Sequence, residues 1–181
     1  MRRALVVLAL LAALIAAPLL IGSLLPRDHV ATSAVTLRQP PGTVWTVVRD
    51  LGGLGKWWSE VKQVERVPDP GGQELWRQTL GSNAALTLVV AVEVPPQRLV
   101  TQIDAPRGAP FGGFWVYELT PSGGGTRVTV TEQGWVANPL FRFLSRVVFG
   151  HYGTLDSYLT ALGKRFGEDV MPVHLVGPRR E

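Results

Sequence analysis

The last long helix-like stretch, 138–166, constrains the fold most, because its apolar and aromatic residues recur at helical spacing. Asn138 is a suitable N-cap and Pro139 a suitable first helical residue. The steps between stripe residues are three or four, which predicts one face along a helix of roughly eight turns. The stripe consists of Leu140, Leu144, Val147, His151, Leu155, Tyr158, Leu162 and Phe166.

The chain before this helix reads as short strands separated by turn residues. A first strand at 28–39 is followed by two small helices with a glycine corner, and then by six strands between 61 and 135. Proline and glycine clusters end most of these strands, for example at 68–72 and 123–125. Short connections favour antiparallel pairing, so we predict an α+β domain in which a curved sheet of six to seven strands wraps around the C-terminal helix. The loop 105–113 precedes Phe114, and 111–114 is either a mobile lid or a plain loop.

The segment 4–26 carries no charged residue, and about 20 apolar residues suffice to cross a bilayer. It therefore predicts an N-terminal transmembrane helix, with a cleaved signal peptide as the alternative. We favour the uncleaved anchor because no good cleavage site follows the run. Arg2 and Arg3 favour a single-pass orientation with the N-terminus inside and the domain extracytoplasmic, although Arg27 and Arg38 on the far flank weaken this inference. The predicted organisation is an anchor or signal peptide at 1–26, a domain at 27–167 and a flexible tail at 168–181.

Charge and composition exclude several classes of partner. The formal net charge is +4, but Arg2, Arg3, Arg179 and Arg180 lie at the termini, and the rest of the chain is nearly balanced. A nucleic-acid binder would carry a basic face on its folded domain, so no nucleic acid is predicted. The chain has no cysteine, and its three histidines share no metal-ligand spacing, so neither a metal site nor a cofactor is predicted. The sequence leaves the oligomeric state undetermined.

Four segments together resemble a known family. They are VTLRQPPGTVW at 35–45, LGKWWSEV at 54–61, the hairpin YELTP through GTRVTVT at 117–131, and the helix 139–166. In this order they resemble the SRPBCC superfamily, with its START-like or helix-grip fold, and particularly its polyketide cyclase/dehydrase-like branch. The resemblance covers 30–166.

This resemblance implies a hydrophobic cavity between the sheet and the long helix. Members bind lipids, sterols, polyketides or other apolar molecules, and some are enzymes. The superfamily shares no catalytic signature, so the resemblance transfers no catalytic residue. It implies a hydrophobic small molecule or lipid as the partner, with the N-terminal helix adding contact with a membrane.

Candidate ligand-binding residues follow from the lining that an apolar site needs. Trp57, Trp115 and Trp135 are candidates, with packing in the core or at the sheet–helix contacts as the alternative for each. On the helix, we place the site under the middle third, near Gly150 and Gly153. The helix residues predicted to face it are Leu144, Val147, His151 and Leu155.

Two residues are candidates for proton chemistry, although the sequence assigns no catalytic residue. Glu132 shares strand parity with Val128 and Val130, which predicts that it points inward. It could orient a ligand hydroxyl or act as a base, and an ion pair with Arg77 or Arg127 is the alternative. His151 could act as an acid, a base or a hydrogen-bond donor, unless a neighbouring strand satisfies it.

Three functions remain open from the sequence. The favoured one is a membrane-anchored domain that binds a hydrophobic molecule or lipid in the cavity. The second is a cyclase/dehydrase-like enzyme in which His151 or Glu132 moves protons. The third is an interaction module with a closed core.

Overall fold

The computed structural model describes residues 2–69 and 71–175. It also contains a 3₁₀ turn at Leu51–Lys56 and a π-helical turn at Leu144–Phe149. The elements in chain order are α1 (Arg2–Leu24), β1 (Asp28–Leu37), α2 (Pro41–Arg49), β2 (Val61–Val67), β3 (Leu75–Leu80), β4 (Ala85–Val94), β5 (Arg98–Ile103), β6 (Phe111–Ser122), β7 (Gly125–Val136), α3 (Pro139–Phe143), α4 (Gly153–Arg165) and β8 (Val173–His174).

The described strands form one antiparallel sheet in the order β2-β3-β4-β5-β6-β7-β1-β8. The α+β class and the antiparallel sheet agree with the sequence prediction, and the eighth strand is additional. Its residues lie in the predicted tail, where His174 pairs with Ser33 and Val173 with Ala34. Residues 176–181 of that tail lie outside the described part.

The hairpin between β6 and β7 shows why glycines occupy a turn of this sheet. Gly123 and Gly124 both have positive φ, of 57° and 82°, as a two-residue turn of the hairpin-favouring kind requires. The strands therefore run up to Ser122 and from Gly125, so the connection is shorter than the predicted five residues.

The core lies where α4 crosses the concave face of the sheet. From α4, Leu155, Tyr158, Leu159 and Leu162 are buried to at least 99%. They pack against apolar side chains of β1, β6 and β7 and of α2, which fixes α4 on this face. The role of helix 138–166 as the partner of the sheet is thus fulfilled by its second half.

The predicted long helix is interrupted, and this corrects the expectation of one unbroken element. It starts as predicted, because the Asn138 side chain accepts hydrogen bonds from the backbone N–H groups of Leu140 and Phe141. After the π-helical turn, Gly150 adopts φ 71° and ψ 172°, a conformation that no helix contains. Regular side-chain spacing does not register such a break, because glycine adds no side chain to the stripe.

The prediction of an N-terminal transmembrane helix is wrong. Over the residues that the structure describes, no helix is both long enough and apolar enough to cross a membrane. The end of α1 lies against α3 instead: a side chain at Gly22 would meet the Pro139 carbonyl, and Arg142 Nη1 donates to the Leu25 carbonyl over 2.8 Å. Hydropathy records that the run is apolar and uncharged but carries no information on its surroundings in the folded chain, so it could not reveal this contact. The extracytoplasmic location of the domain is not tested by the fold and stays a prediction.

The segment 111–114 belongs to the sheet and is neither a lid nor a plain loop. Phe111 pairs with Val136 and Phe114 with Gln133, so β6 begins three residues earlier than predicted. Glycine is needed here for close approach. A side chain at Gly112 would collide with the Trp135 ring, and one at Gly113 with the Gln133 carbonyl.

Candidate ligand-binding cavity

A cavity of about 280 Å³ opens on the concave face of the sheet. Its walls come from β3 to β7 and from the region of the 3₁₀ turn, where Leu54 and Trp58 contribute. The one α4 residue that lines it is Thr154, near the start of that helix. The cavity therefore lies beyond the N-terminal end of α4, and Thr154 falls in the middle third of the predicted helix 138–166.

Most of the cavity wall is apolar or aromatic. The aliphatic part includes Leu80, Leu86, Leu88 and Ile103. The aromatic part includes Trp58, Phe111, Phe114, Trp115 and Tyr117. An apolar wall with a few polar groups is the usual composition of a small-molecule site.

Several of these rings belong to a cluster that is centred on Tyr158. The centroids of the Trp57, Trp58, Trp115 and Tyr117 rings lie between 5.3 and 5.8 Å from that of Tyr158, in tilted or edge-to-face arrangements. Trp58 Nε1 also donates to Ser157 Oγ over 3.0 Å, which ties the wall to α4. Such aromatic pairs add about 0.5–1.5 kcal/mol each beyond the area they bury. The inner wall of the cavity is therefore held firmly against the core.

Glu132 is the carboxylate in this wall, and both of its oxygens are held. Oε1 lies 2.8 Å from His29 Nε2, and Oε2 accepts from Trp115 Nε1 over 3.0 Å. The Glu132 side chain is 25% exposed and that of His29 is 12% exposed. Neither Arg77 nor Arg127 is its partner, and Arg77 pairs with Glu65 instead.

Strand register explains how these side chains meet. Trp115 lies directly opposite Glu132 in the β6–β7 pair, so their side chains share a face. His29 lies opposite Gly134 in the β1–β7 pair, two residues further along the same face. A side chain at Gly134 would lie within 2.6 Å of His29 Cε1, so glycine leaves the space in which His29 reaches Glu132.

His151 lies behind this pair. Its ring stacks on the His29 ring with centroids 4.4 Å apart and planes 14° from parallel. Burial lowers the pKa of His151 below its usual value, and the nearby His29 and Arg146 side chains lower it further against the opposing effect of Glu132. The neutral imidazole is therefore favoured, and it stacks on the His29 ring.

Three further polar groups of the wall are buried. Gln78 on β3 is 4% exposed, and its Nε2 has no hydrogen-bond partner within the described residues. Thr101 is also buried in the wall. Burial raises the pKa of the Tyr117 hydroxyl well above its usual value, so that phenol stays protonated.

The structure distributes the eight predicted ligand-binding residues over different surroundings. Trp115 and Glu132 line the cavity. Trp57 and Leu155 belong to or pack against the core, and Trp135 lies over Gly112. Leu144 and Val147 fall on the π-helical turn, where Val147 is 60% exposed, and His151 stacks on His29, the partner of Glu132, without lining the cavity itself.

Sequence reasoning missed His29, Gln78 and Trp58 as members of the site. His29 could have been found from strand parity, because it shares a face with Ala31 and Ser33, which would then be recognised as core positions. Gln78 gives the same signal, because it shares strand parity with Trp76 and Leu80, which pack against the core. Within 2–69 and 71–175, no three His, Cys, Asp or Glu side chains are grouped so that they could hold a metal ion.

A sheet that grips a helix and leaves an apolar cavity with few polar groups defines a class of small-molecule-binding α+β domains. Residues 28–163 match the family model described as polyketide cyclase / dehydrase and lipid transport, and the chain belongs to this family within the SRPBCC superfamily. No curated protein matches the chain in sequence.

Solved structures share the fold at low sequence identity. TTHA0849 from Thermus thermophilus superposes with a TM-score of 0.60 at 22% identity, covering 76% of this chain and 96% of that one. A START superfamily protein from Mycobacterium smegmatis gives 0.57 at 19% identity, with coverages of 76% and 96%. The di-domain ARO/CYC StfQ from the steffimycin biosynthetic pathway gives 0.57 at 12% identity, covering 78% of this chain and 52% of that one. These likenesses support the helix-grip fold.

Proposed function

We propose that this domain binds a hydrophobic small molecule in the cavity beyond the N-terminal end of α4. The observation that carries the proposal is the cavity itself, a space of about 280 Å³ with a largely apolar wall on the concave face of the sheet. A concave apolar lining with a few polar groups is the usual surrounding of a bound small molecule.

The size of the cavity favours a compact ligand over a lipid with long chains. Pockets that take drug-sized ligands span about 300–1,000 Å³, and the volume of this cavity, about 280 Å³, lies just below that range. A compact apolar molecule would be largely enclosed, whereas a two-chain lipid would leave most of its surface outside. We therefore favour a compact small molecule over a lipid as the ligand.

Binding can be tested with N-phenyl-1-naphthylamine, an uncharged probe that fluoresces in apolar sites. We expect saturable binding to the purified protein. Leu88→Trp should weaken it at least about tenfold, because the larger ring occupies space inside the cavity.

The control is Val92→Trp, which places the same ring on the same strand at a position that is 42% exposed. It should leave probe binding unchanged. Equal binding by wild type and Leu88→Trp would contradict the proposal, as would the absence of saturable binding to the wild type.

A second function is favoured by one observation, the Glu132 carboxylate that is paired with the His29 imidazole in an apolar wall. Such a pair could remove a proton from carbon next to a carbonyl group, which is the chemistry that cyclisation of a polyketide requires. In this step the C–H bond breaks, the proton passes to the carboxylate, and the electron pair forms an enolate that is protonated again from the same group.

The test is exchange of the α-hydrogens of 2-tetralone in D₂O, followed by nuclear magnetic resonance. Proton-transfer activity predicts exchange above the buffer rate, lost in Glu132→Gln and retained in Glu118→Gln, whose carboxylate is 47% exposed beside Arg98. Exchange at the buffer rate would leave binding as the function.

A further inference from the structure

We infer that the ligand has a flat aromatic body and carries a neutral or cationic hydrogen-bond donor that lies on Glu132. This inference rests on the proposed binding function and specifies the class of molecule bound. It follows from the acceptor capacity, the charge and the shape of the cavity wall.

Glu132 has acceptor capacity that the protein does not use. A carboxylate offers about four lone-pair positions, two on each oxygen. His29 takes one position on Oε1 and Trp115 takes one on Oε2. The two ring N–H donors therefore fix the carboxylate in place and leave an acceptor position on each oxygen. A hydroxyl or amine of the ligand fits these positions.

The charge of the wall selects against acidic ligands. Glu132 is the one charged side chain among the described residues that line the cavity, and neither lysine nor arginine is among them. A ligand carboxylate would lose its hydration, meet a like charge and find no cation. The N-terminus of α4 lies at the mouth, where Thr154 is exposed and Asp156 occupies the first helical turn, so it offers no compensating positive site.

A buried polar group of the wall favours a hydrogen-bond acceptor on the same ligand. Gln78 Nε2 lies in the β3 part of the wall and is buried without a partner in the described part of the chain. A buried donor without a partner costs about 1–3 kcal/mol, so a ligand oxygen at this point would recover that cost. The ligand thus carries its donor toward β7 and an oxygen or π-face toward β3.

The shape of the wall favours a flat ring system. Five aromatic rings line the cavity, and they come from the 3₁₀ turn region and from β6. Aromatic rings prefer offset-stacked or edge-to-face neighbours, which a planar ligand supplies along its whole length. A branched aliphatic molecule of equal volume would meet the same wall with fewer such contacts.

Three ligands with the same ring system separate these requirements. Naphthalene supplies the body alone, 2-naphthol adds a donor, and 2-naphthoate adds a negative charge. Isothermal titration calorimetry at neutral pH would measure each against wild type, Glu132→Gln and Glu118→Gln, in which the same change is made on the outward side of β6.

We expect 2-naphthol to bind wild type about tenfold or more tighter than naphthalene, because a hydrogen bond to a charged acceptor contributes more than a neutral one. The 2-naphthoate ion should bind more weakly than naphthalene. In Glu132→Gln the advantage of 2-naphthol should fall to about threefold or less and binding of 2-naphthoate should improve, while Glu118→Gln should behave as wild type.

The inference is overturned, with the proposed function intact, if naphthalene and 2-naphthol bind wild type equally or if 2-naphthoate binds most tightly. An unchanged preference in Glu132→Gln has the same consequence. If none of the three ligands binds and N-phenyl-1-naphthylamine does not bind either, the proposed function itself fails. The comparison of the three ligands on the wild-type protein can overturn the inference by itself, so the test does not depend on the stability of the Glu132 variant.

Discussion

The concave face of the sheet has two regions of opposite character. Under α4 it is filled, and Leu155, Leu159 and Leu162 have no exposed surface. Beyond the start of α4 the same face is hollow, and Leu86 and Leu88 border about 280 Å³ of space. Both regions are built from alternating apolar strand residues, so what separates them is the point at which the helix begins. The break at Gly150 sets that point and so determines how much of the face remains open.

The largest expected effect comes from making the same substitution in both regions. Leu159→Ala should lower the free energy of unfolding by about 2–5 kcal/mol, because it leaves a cavity in a packed core. Leu88→Ala should cost much less, since its side chain already borders empty space. Urea denaturation would measure both. Equal losses would mean that the hollow region is packed in solution.

The next effect concerns the glycine that makes room for His29. Gly134→Ala should destabilise the domain by about 1–3 kcal/mol through overpacking, and it should shift His29 away from Glu132. Gly153→Ala is the control, because no atom lies within 4 Å of the added methyl group and its φ is ordinary. Thermal unfolding would measure stability, and the calorimetric preference for 2-naphthol should fall only in Gly134→Ala. An unchanged preference would show that His29 does not position the carboxylate.

A smaller effect is expected at the boundary between the regions. Ser157→Ala removes the acceptor of the Trp58 indole N–H and should cost about 0.5–1.5 kcal/mol. Because the Trp58 ring remains, probe affinity should change little. Trp58→Phe removes the same hydrogen bond and part of the cavity wall, so it should lower both stability and probe affinity. If the two variants weakened binding equally, the hydrogen bond rather than the ring would shape the cavity.

The smallest effect is one of pH at His151. Its pKa is lowered in the folded state by burial and by His29 and Arg146, so the unfolded chain binds the proton more tightly. Stability should therefore be lost as pH falls below about 6.5, the ordinary histidine value. His151→Asn should reduce the slope of the thermal midpoint against pH between neutrality and about pH 5. The same slope in the variant would assign the acid sensitivity to other groups.

Much of the sheet could be predicted because the residues that end its strands act through local backbone preferences. Proline and glycine clusters end strands by their own backbone preferences, so the limits of β2 and β4 follow from nearby residues. Strand parity likewise placed Val128, Val130 and Glu132 on the inner face. The start of β6 was missed because Gly112 and Gly113 resemble a loop when the β7 residues against which they pack are unknown.

The site was harder to predict because its residues are brought together by the pairing of strands that are far apart in sequence. His29 and Glu132 are 103 residues apart, and only the β1–β7 register brings them together. The cavity itself depends on where α4 begins, which the side-chain stripe does not reveal across Gly150. The apolar N-terminal run was misassigned for a related reason, since its contact with α3 depends on tertiary structure.

The place of β1 in the sheet has a consequence for the order of events during synthesis. Among the described strands, β1 is made before the others, whereas its neighbours β7 and β8 are made after them. Thr32 and its β7 partner Thr131 are 99 residues apart. At about 5–20 residues per second, the ribosome takes roughly 5–20 s to supply that partner. β1 therefore lacks its β7 partner through this interval, whereas β2 to β6 can pair with strands that are adjacent in sequence, and the face that holds α4 is completed last.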